Sequence, residues 1–201
     1  MRYQIKSQEG FEGIPVAEIS NFPWEKEGDY RPQAGAQVSF GEDGLHVKLQ
    51  ALEDELYATT TEQLHFVHID SCLEFFMRPF PKEDARYFNF EFNPLGITYS
   101  SLGDGRQNRV LLTMEDVLAM GISSRITWGK KAMWELTFRI PNQLIAKYFE
   151  GRVLQKGSVL EGNFYKCGEW TPTSHFGCWN PIRLPEPDFH APQFFGELEI
   201  C

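Results

Sequence analysis

The chain has 201 residues and a formal net charge of −9 at pH 7, an acidic balance that disfavours nucleic acid and anionic membrane surfaces as partners. Hydrophobic residues make up 42% and charged residues 23%, as in an ordinary globular protein, and no apolar run reaches the ~18 residues a membrane span needs. The aromatic share, 14% with 17 Phe, supplies rings for a wide core or for flat ligand platforms.

Alternation of apolar and polar residues is the clearest signal along the chain. It predicts strands over residues 37–40, 45–52, 64–69, 71–77, 87–93, 97–100, 109–112, 125–128, 132–140, 158–166 and 197–200. In 45–52, Leu45, Val47, Leu49 and Ala51 alternate with His46, Lys48 and Gln50. In 87–93, Phe88, Phe90 and Phe92 point one way and Tyr87, Asn89, Glu91 and Asn93 the other. Helix is predicted only twice. Thr113-Met114-Glu115-Asp116 fits a capping box whose helix stops near Gly121, and Pro141 suits the first position of a helix over 142–149 closed by Gly151. So many short strands with short turns predict an all-β fold, a two-sheet antiparallel jelly-roll-like β-sandwich with one to three short helices, with residues 1–201 as one domain.

Three regions carry candidate chemistry. The polar face of 87–93 offers Asn89, Glu91 and Asn93 on one side of the sheet, donors and acceptors of the kind sugar hydroxyls need; the alternative is a plain polar outer face. In 71–77, alternation sets Cys72, Glu74 and Phe76 together. A carboxylate among apolar neighbours requires a partner, either a ligand or an arginine such as Arg86 or Arg109. The C-terminal stretch is rich in Pro, Gly and aromatic residues, as binding loops tend to be, and its Trp170, Trp179 and Phe189 are candidate rings for stacking on a pyranose, with His190 beside them. The alternative is that these rings plug the end of the sandwich.

Several of these strings, taken together, resemble the family 9 carbohydrate-binding modules. They are Asp70-Ser71-Cys72-Leu73-Glu74-Phe75-Phe76, Tyr87-Phe88-Asn89-Phe90-Glu91-Phe92-Asn93, Trp134-Glu135 leading to Ile140-Pro141 and the closing Phe195-Gly196-Glu197-Leu198, while Gly162-Asn163-Phe164-Tyr165-Lys166 is similar to the Asn-Phe-Tyr-Arg block of their wider relatives. The resemblance implies a jelly-roll-like sandwich of the kind attached to xylanases, non-catalytic, holding the end of an oligo- or polysaccharide between two Trp rings, with structural calcium whose ligands these motifs do not assign. It puts Glu74 on a sugar-binding Glu, Asn89 where relatives have a sugar-contacting Arg, and Phe189 in the slot of the second Trp. The place of the first Trp, a few positions before Glu74, holds no Trp, and His68 stands near it, with Trp179 as a replacement ring. The expected binding residues are therefore Glu74, Asn89, Glu91, Trp179, Phe189 and His190.

Two other readings compete. A glycoside hydrolase needs two carboxyl groups flanking the bond, and Glu74 with Glu91 is the pair that neighbouring strands would bring together. Zinc is disfavoured because His65, His68, Cys167, His175 and Cys178 are loosely spaced. The four cysteines Cys72, Cys167, Cys178 and Cys201 form no CxxC and are expected as free thiols. With a polar N-terminus this predicts a cytoplasmic protein, the alternative being export with a leader removed.

Overall fold

A computed structural model describes residues 1–26 and 28–201. Its strands are β1 (Arg2–Ser7), β2 (Ala17–Glu18), β3 (Gln33–Phe40), β4 (Gly44–Glu53), β5 (Cys72–Arg78), β6 (Tyr87–Phe92), β7 (Thr98–Gly103), β8 (Val110–Leu111), β9 (Ser123–Trp128), β10 (Ala132–Pro141), β11 (Val159–Gly168), β12 (His175–Cys178) and β13 (Gly196–Ile200). Two short helices, α1 (Met114–Ala119) and α2 (Asn142–Tyr148), and a 3-10 turn at Pro192–Phe194 complete the described elements. The fold is all-β, as expected. Among the described residues, no helix is long and apolar enough to cross a membrane.

The strands hydrogen-bond in the order β8-β7-β6-β5-β11-β13-β1-β3-β4-β10-β9, with β12 on β11 and β2 on β3. The ribbon curls so that its two halves face each other, consistent with a two-sheet sandwich: Phe90 and Phe92 of β6 meet Phe138 of β10, with ring centroids 5.9 and 4.5 Å apart. Alternation explains why. Leu73, Phe75 and Met77 of β5, Leu45, Val47 and Leu49 of β4, and Trp134 and Leu136 of β10 all point inward and are fully buried. Each such side chain contributes about 1.5–3 kcal/mol by leaving water.

One strand joins the halves. β1 pairs with β13 through Arg2–Ile5 and with β3 through Lys6 and Ser7, both in parallel, which corrects the purely antiparallel expectation. Its signal was short, because only Tyr3 and Ile5 turn inward. The strand expected over 64–69 is instead a loop. Its backbone groups find scattered partners rather than a ladder, with Leu64 N donating to Thr98 O and the carbonyls of His68 and Ile69 accepting from Glu169 N and Trp170 N, while the adjoining Asp70 accepts from Thr59 N, Thr59 Oγ1, Thr60 N and Asn93 Nδ2. Leu64 there takes a left-handed φ of 63°, which no strand contains. The Thr113–Asp116 capping box forms as expected, whereas Pro141 caps α2 from the end of β10 rather than opening the helix.

A buried ion pair lies at one end of the core. Lys166 Nζ is 3.2 Å from Glu53 Oε2, with both side chains excluded from water. Trp134 Nε1 and Ser71 Oγ donate to Glu53 at 2.6 and 3.0 Å, and Lys166 Nζ lies 2.9 Å from His175 Nε2. The third donor of Lys166 goes to Cys167 O at 2.8 Å, so the buried ammonium has a partner for each N–H, as burial requires.

The outer face of β5, β6 and β11 is also buried, because loops fold over it. A second apolar layer forms there, with Phe76, Tyr87 and Tyr165 packed under Phe189 and Phe195, and Val67, Cys72 and Cys167 beside them.

Candidate functional site

Between this outer face and its loops lies a cavity of about 200 Å³, open to solvent. Its floor includes a row of three residues across three strands, Glu74 of β5 opposite Glu91 of β6 and Glu91 opposite Tyr99 of β7, and the row continues beneath Phe189 to the buried Tyr165 of β11, opposite Glu74. The expected pair of carboxyl groups therefore does meet. Directly opposed residues of antiparallel strands hold their Cβ atoms roughly 4.5–5.5 Å apart, so the two side chains rise together from the sheet.

Neither arginine considered as a partner reaches Glu74. Arg86 pairs with Asp84 at 2.7 Å, and Arg109 Nη2 donates to Asn89 Oδ1 at 2.8 Å. Glu74 Oε1 instead receives Cys167 Sγ at 3.0 Å and Cys72 Sγ at 3.8 Å. Its Oε2 has no protein partner among the described residues, although the side chain is only 2% exposed. Burial, with the thiol of Cys167 and the carboxyl of Glu91 alongside, pushes the Glu74 carboxyl well above the usual range. Burial also raises Glu91 to about 7, against the opposing hydrogen bond from Asn89.

Asn89 is fully buried behind the floor and does not line the cavity. Its Nδ2 donates to Glu91 Oε1 at 2.6 Å, while its Oδ1 accepts from Arg109 and Ser101. It is a positioning residue that couples Glu91 to a guanidinium. The resemblance put a sugar-contacting Arg at this place; the guanidinium here comes from Arg109, which also covers the Tyr87 ring at 4.5 Å. Asn93 is structural too, since its Oδ1 accepts from Leu95 N and Ile97 N in the turn before β7.

Phe189 and His190 both line the cavity. Phe189 stacks on Tyr165 at 4.1 Å and 8°, and the Tyr165 hydroxyl donates to Phe189 O. The Tyr87 hydroxyl lies 2.8 Å from His190 Nδ1. Two tyrosines of the sheet thus hold down the loop that carries both residues. Burial, followed by the positive charge of Arg109, lowers His190 to about 3, so it is neutral at ordinary pH.

Trp179 corrects the expectation. It is 4% exposed, lies outside the cavity, and packs edge-on against Tyr3 and Phe164 in the main core. The close approach of Gly196, where a Cβ would stand 2.5 Å from the indole, fixes it there. Trp170 is exposed and lines no part of the cavity. The second aromatic wall is Phe66, 56% exposed and leaning on Tyr99 at 5.2 Å. Its only sequence signal is a place in Leu64-His65-Phe66-Val67-His68-Ile69, which reads as a strand rather than as a cavity wall. Arg106 and Glu169, also at the cavity, carried no such signal.

All four cysteines are free, as expected. The calcium implied by the resemblance takes about six to eight oxygen ligands. Among the described residues, the place where three His, Cys, Asp or Glu side chains converge is Cys72, Glu74 and Cys167, and two sulfurs do not fit that ion. His175 and Cys178 are not part of this group.

Comparison with known proteins agrees with this architecture. The profile of carbohydrate-binding family 9 matches residues 6–200. A candidate carbohydrate-binding protein from Bacteroides uniformis superposes with a TM-score of 0.82 at 27% identity, over 99% of this chain and 98% of that one. Two structures of a family 9 module from Caldicellulosiruptor kristjanssonii, one with cellotriose and one with glucose, superpose at TM-scores of 0.63 and 0.60. Both are 9% identical over 100% of this chain and cover 93% and 96% of theirs, so they speak to the fold. No curated protein matches the chain. With the profile spanning nearly its whole length, the chain belongs to carbohydrate-binding family 9.

Proposed function

We propose that the protein is a non-catalytic, jelly-roll-like module that binds the end of an oligo- or polysaccharide in the cavity above β5 and β6. The observation that carries this reading is Glu74: a buried carboxyl with no cationic partner and one oxygen without a protein hydrogen bond, on the floor of a cavity walled by Phe66 and Phe189. Held neutral, such a carboxyl both donates and accepts, which suits a sugar hydroxyl. Glu91, steadied by Asn89, supplies a stronger acceptor as it ionises. The rings offer flat apolar faces to a pyranose. At about 200 Å³ the space is smaller than the ~300–1,000 Å³ of sites for drug-sized ligands, so it suits one terminal unit rather than a buried oligomer. The family 9 modules that carry cellotriose and glucose support a saccharide as the ligand class.

A glycan array followed by calorimetry on the best binder tests this. The expected affinity is millimolar to micromolar, about 4–8 kcal/mol. Phe189→Ala should weaken it by about 1–3 kcal/mol through loss of the apolar platform. Glu74→Ala should abolish measurable binding, whereas Glu74→Gln, which keeps a donor and an acceptor, should retain much of it. Wild-type affinity in both alanine variants would place the site elsewhere.

The side-by-side Glu74 and Glu91 keep a second reading, glycoside hydrolysis, open to test. Release of new reducing ends from the bound glycan, lost in Glu91→Gln, would favour it over simple binding.

A further inference from the structure

Spacing along the chain hides the partner that matters most to Cys167. Strand β5 sets Cys72 directly opposite it across the β5–β11 ladder, and Glu74 stands two residues further along β5 on the same face. One ligand atom from each of the three, two sulfurs and a carboxyl oxygen, lies within 4.8 Å of the others. Glu74 Oε1 is 3.0 Å from Cys167 Sγ and 3.8 Å from Cys72 Sγ. A tetrahedral zinc with Zn–S near 2.3 Å and Zn–O near 2.1 Å has ligand–ligand edges of about 3.5–3.8 Å, so small side-chain movements close the set around an ion. All three side chains are at least nine-tenths buried, and besides the Glu74 carboxyl the two thiols have only distant carbonyl partners, Leu73 O at 3.9 Å for Cys72 and His68 O at 3.7 Å for Cys167.

We propose that Cys72, Glu74 and Cys167 form a binding site for a thiophilic divalent cation, zinc, with its fourth position open to the cavity. Soft sulfur donors select this class of metal over calcium or magnesium. Glu74 and Cys167 line the cavity, which gives the ion an entry path and leaves room for a water or hydroxyl as fourth ligand; three protein ligands plus one open position is the arrangement of reactive rather than closed zinc sites. Binding displaces the protons of both thiols and of the carboxyl. Cys178 and Cys201 stand apart from the set. The proposal does not depend on the saccharide reading, although Glu74 belongs to both.

Cobalt(II) titration of the reduced protein tests it, carried out in a Cys201→Ser background so that the exposed thiol contributes nothing. The expected result is a thiolate-to-cobalt charge-transfer absorption that saturates at one equivalent, with the intense visible bands of tetrahedral cobalt, both erased by zinc. Cys72→Ser and Cys167→Ser, near-isosteric changes, should each lower the apparent affinity by more than the ~10–100-fold that loss of an outer-shell group costs. Thermal melts of each variant establish that it is folded. Absence of the charge-transfer band in the folded parent, or its persistence in both serine variants, would overturn the assignment. Because the readout is the metal's own spectrum, failure to bind any glycan would leave this result standing, and the reverse holds equally.

Discussion

Phe66 and Trp179 show how differently two aromatic side chains serve the same molecule. Trp179→Ala empties a core position between Tyr3 and Phe164 and should cost about 3–5 kcal/mol of stability, read by chemical denaturation, while the glycan affinity of the folded fraction stays unchanged. Phe66→Ala, at a side chain already 56% exposed, should leave the denaturation midpoint nearly in place and weaken glycan binding. The reverse pattern would return Trp179 to the binding surface. The floor carboxyls Glu74 and Glu91 were legible beforehand because strand alternation dictates which face a residue takes. Phe66 was not, since residues 64–69 read as a strand but fold as a loop, where tertiary contacts rather than alternation set which way a ring faces. Nor was the role of Asn89, because a side chain on the correct face can still be covered by a neighbour, here Arg109.

Among the elements, β1 and β11 carry more than their share. β1 closes two sheet edges at once, those of β13 and β3, and exposed edges invite association. Deleting residues 1–7 should therefore produce a chain that aggregates or loses its β-sheet circular dichroism, not one merely trimmed at a terminus. A soluble, cooperatively melting product would show that the two halves hold together without their joint. On β11, Lys166→Met strands Glu53 as an uncompensated buried charge and should destabilise by about 3–5 kcal/mol. Long alternating strands such as β4 and β10 were readable to within a residue or two, because five inward positions leave one face unmistakable. β1, β2 and β12 offer few such positions, and only the ladder they complete stabilises them.

For the whole molecule, His175 contributes to the acid limb of stability, alongside the similarly depressed His190. Burial, followed by the positive charge of Lys166, lowers His175 from the usual 6.5 to about 3. An imidazole depressed in the folded state contributes stability that is fully present above about pH 6.5 and is lost as pH falls toward 3, because the unfolded chain takes up the proton first. Melting temperatures measured from pH 7 to 4 should fall less steeply in His175→Gln, which keeps an acceptor for Lys166, than in the parent. Parallel curves would show that His175 contributes nothing to the acid limb. The all-β class itself was readable from alternation, whereas the parallel joint and the loop layer over the outer face were not, since both depend on contacts between distant segments of chain.

The double pairing of β1 also has a mechanical meaning. β1 and β13 run in parallel, Arg2 beside Glu197 and Ile5 beside Ile200. A pull on the Arg2 end of β1 against the Ile200 end of β13 therefore acts along the ladder, and every hydrogen bond between them bears the load together. Hairpin strands pulled from their open end would instead give way one bond at a time. A module tethered by one end of this ladder and strained from the other would resist extension by shear and yield abruptly, as a latch does, with no gradual peeling beforehand.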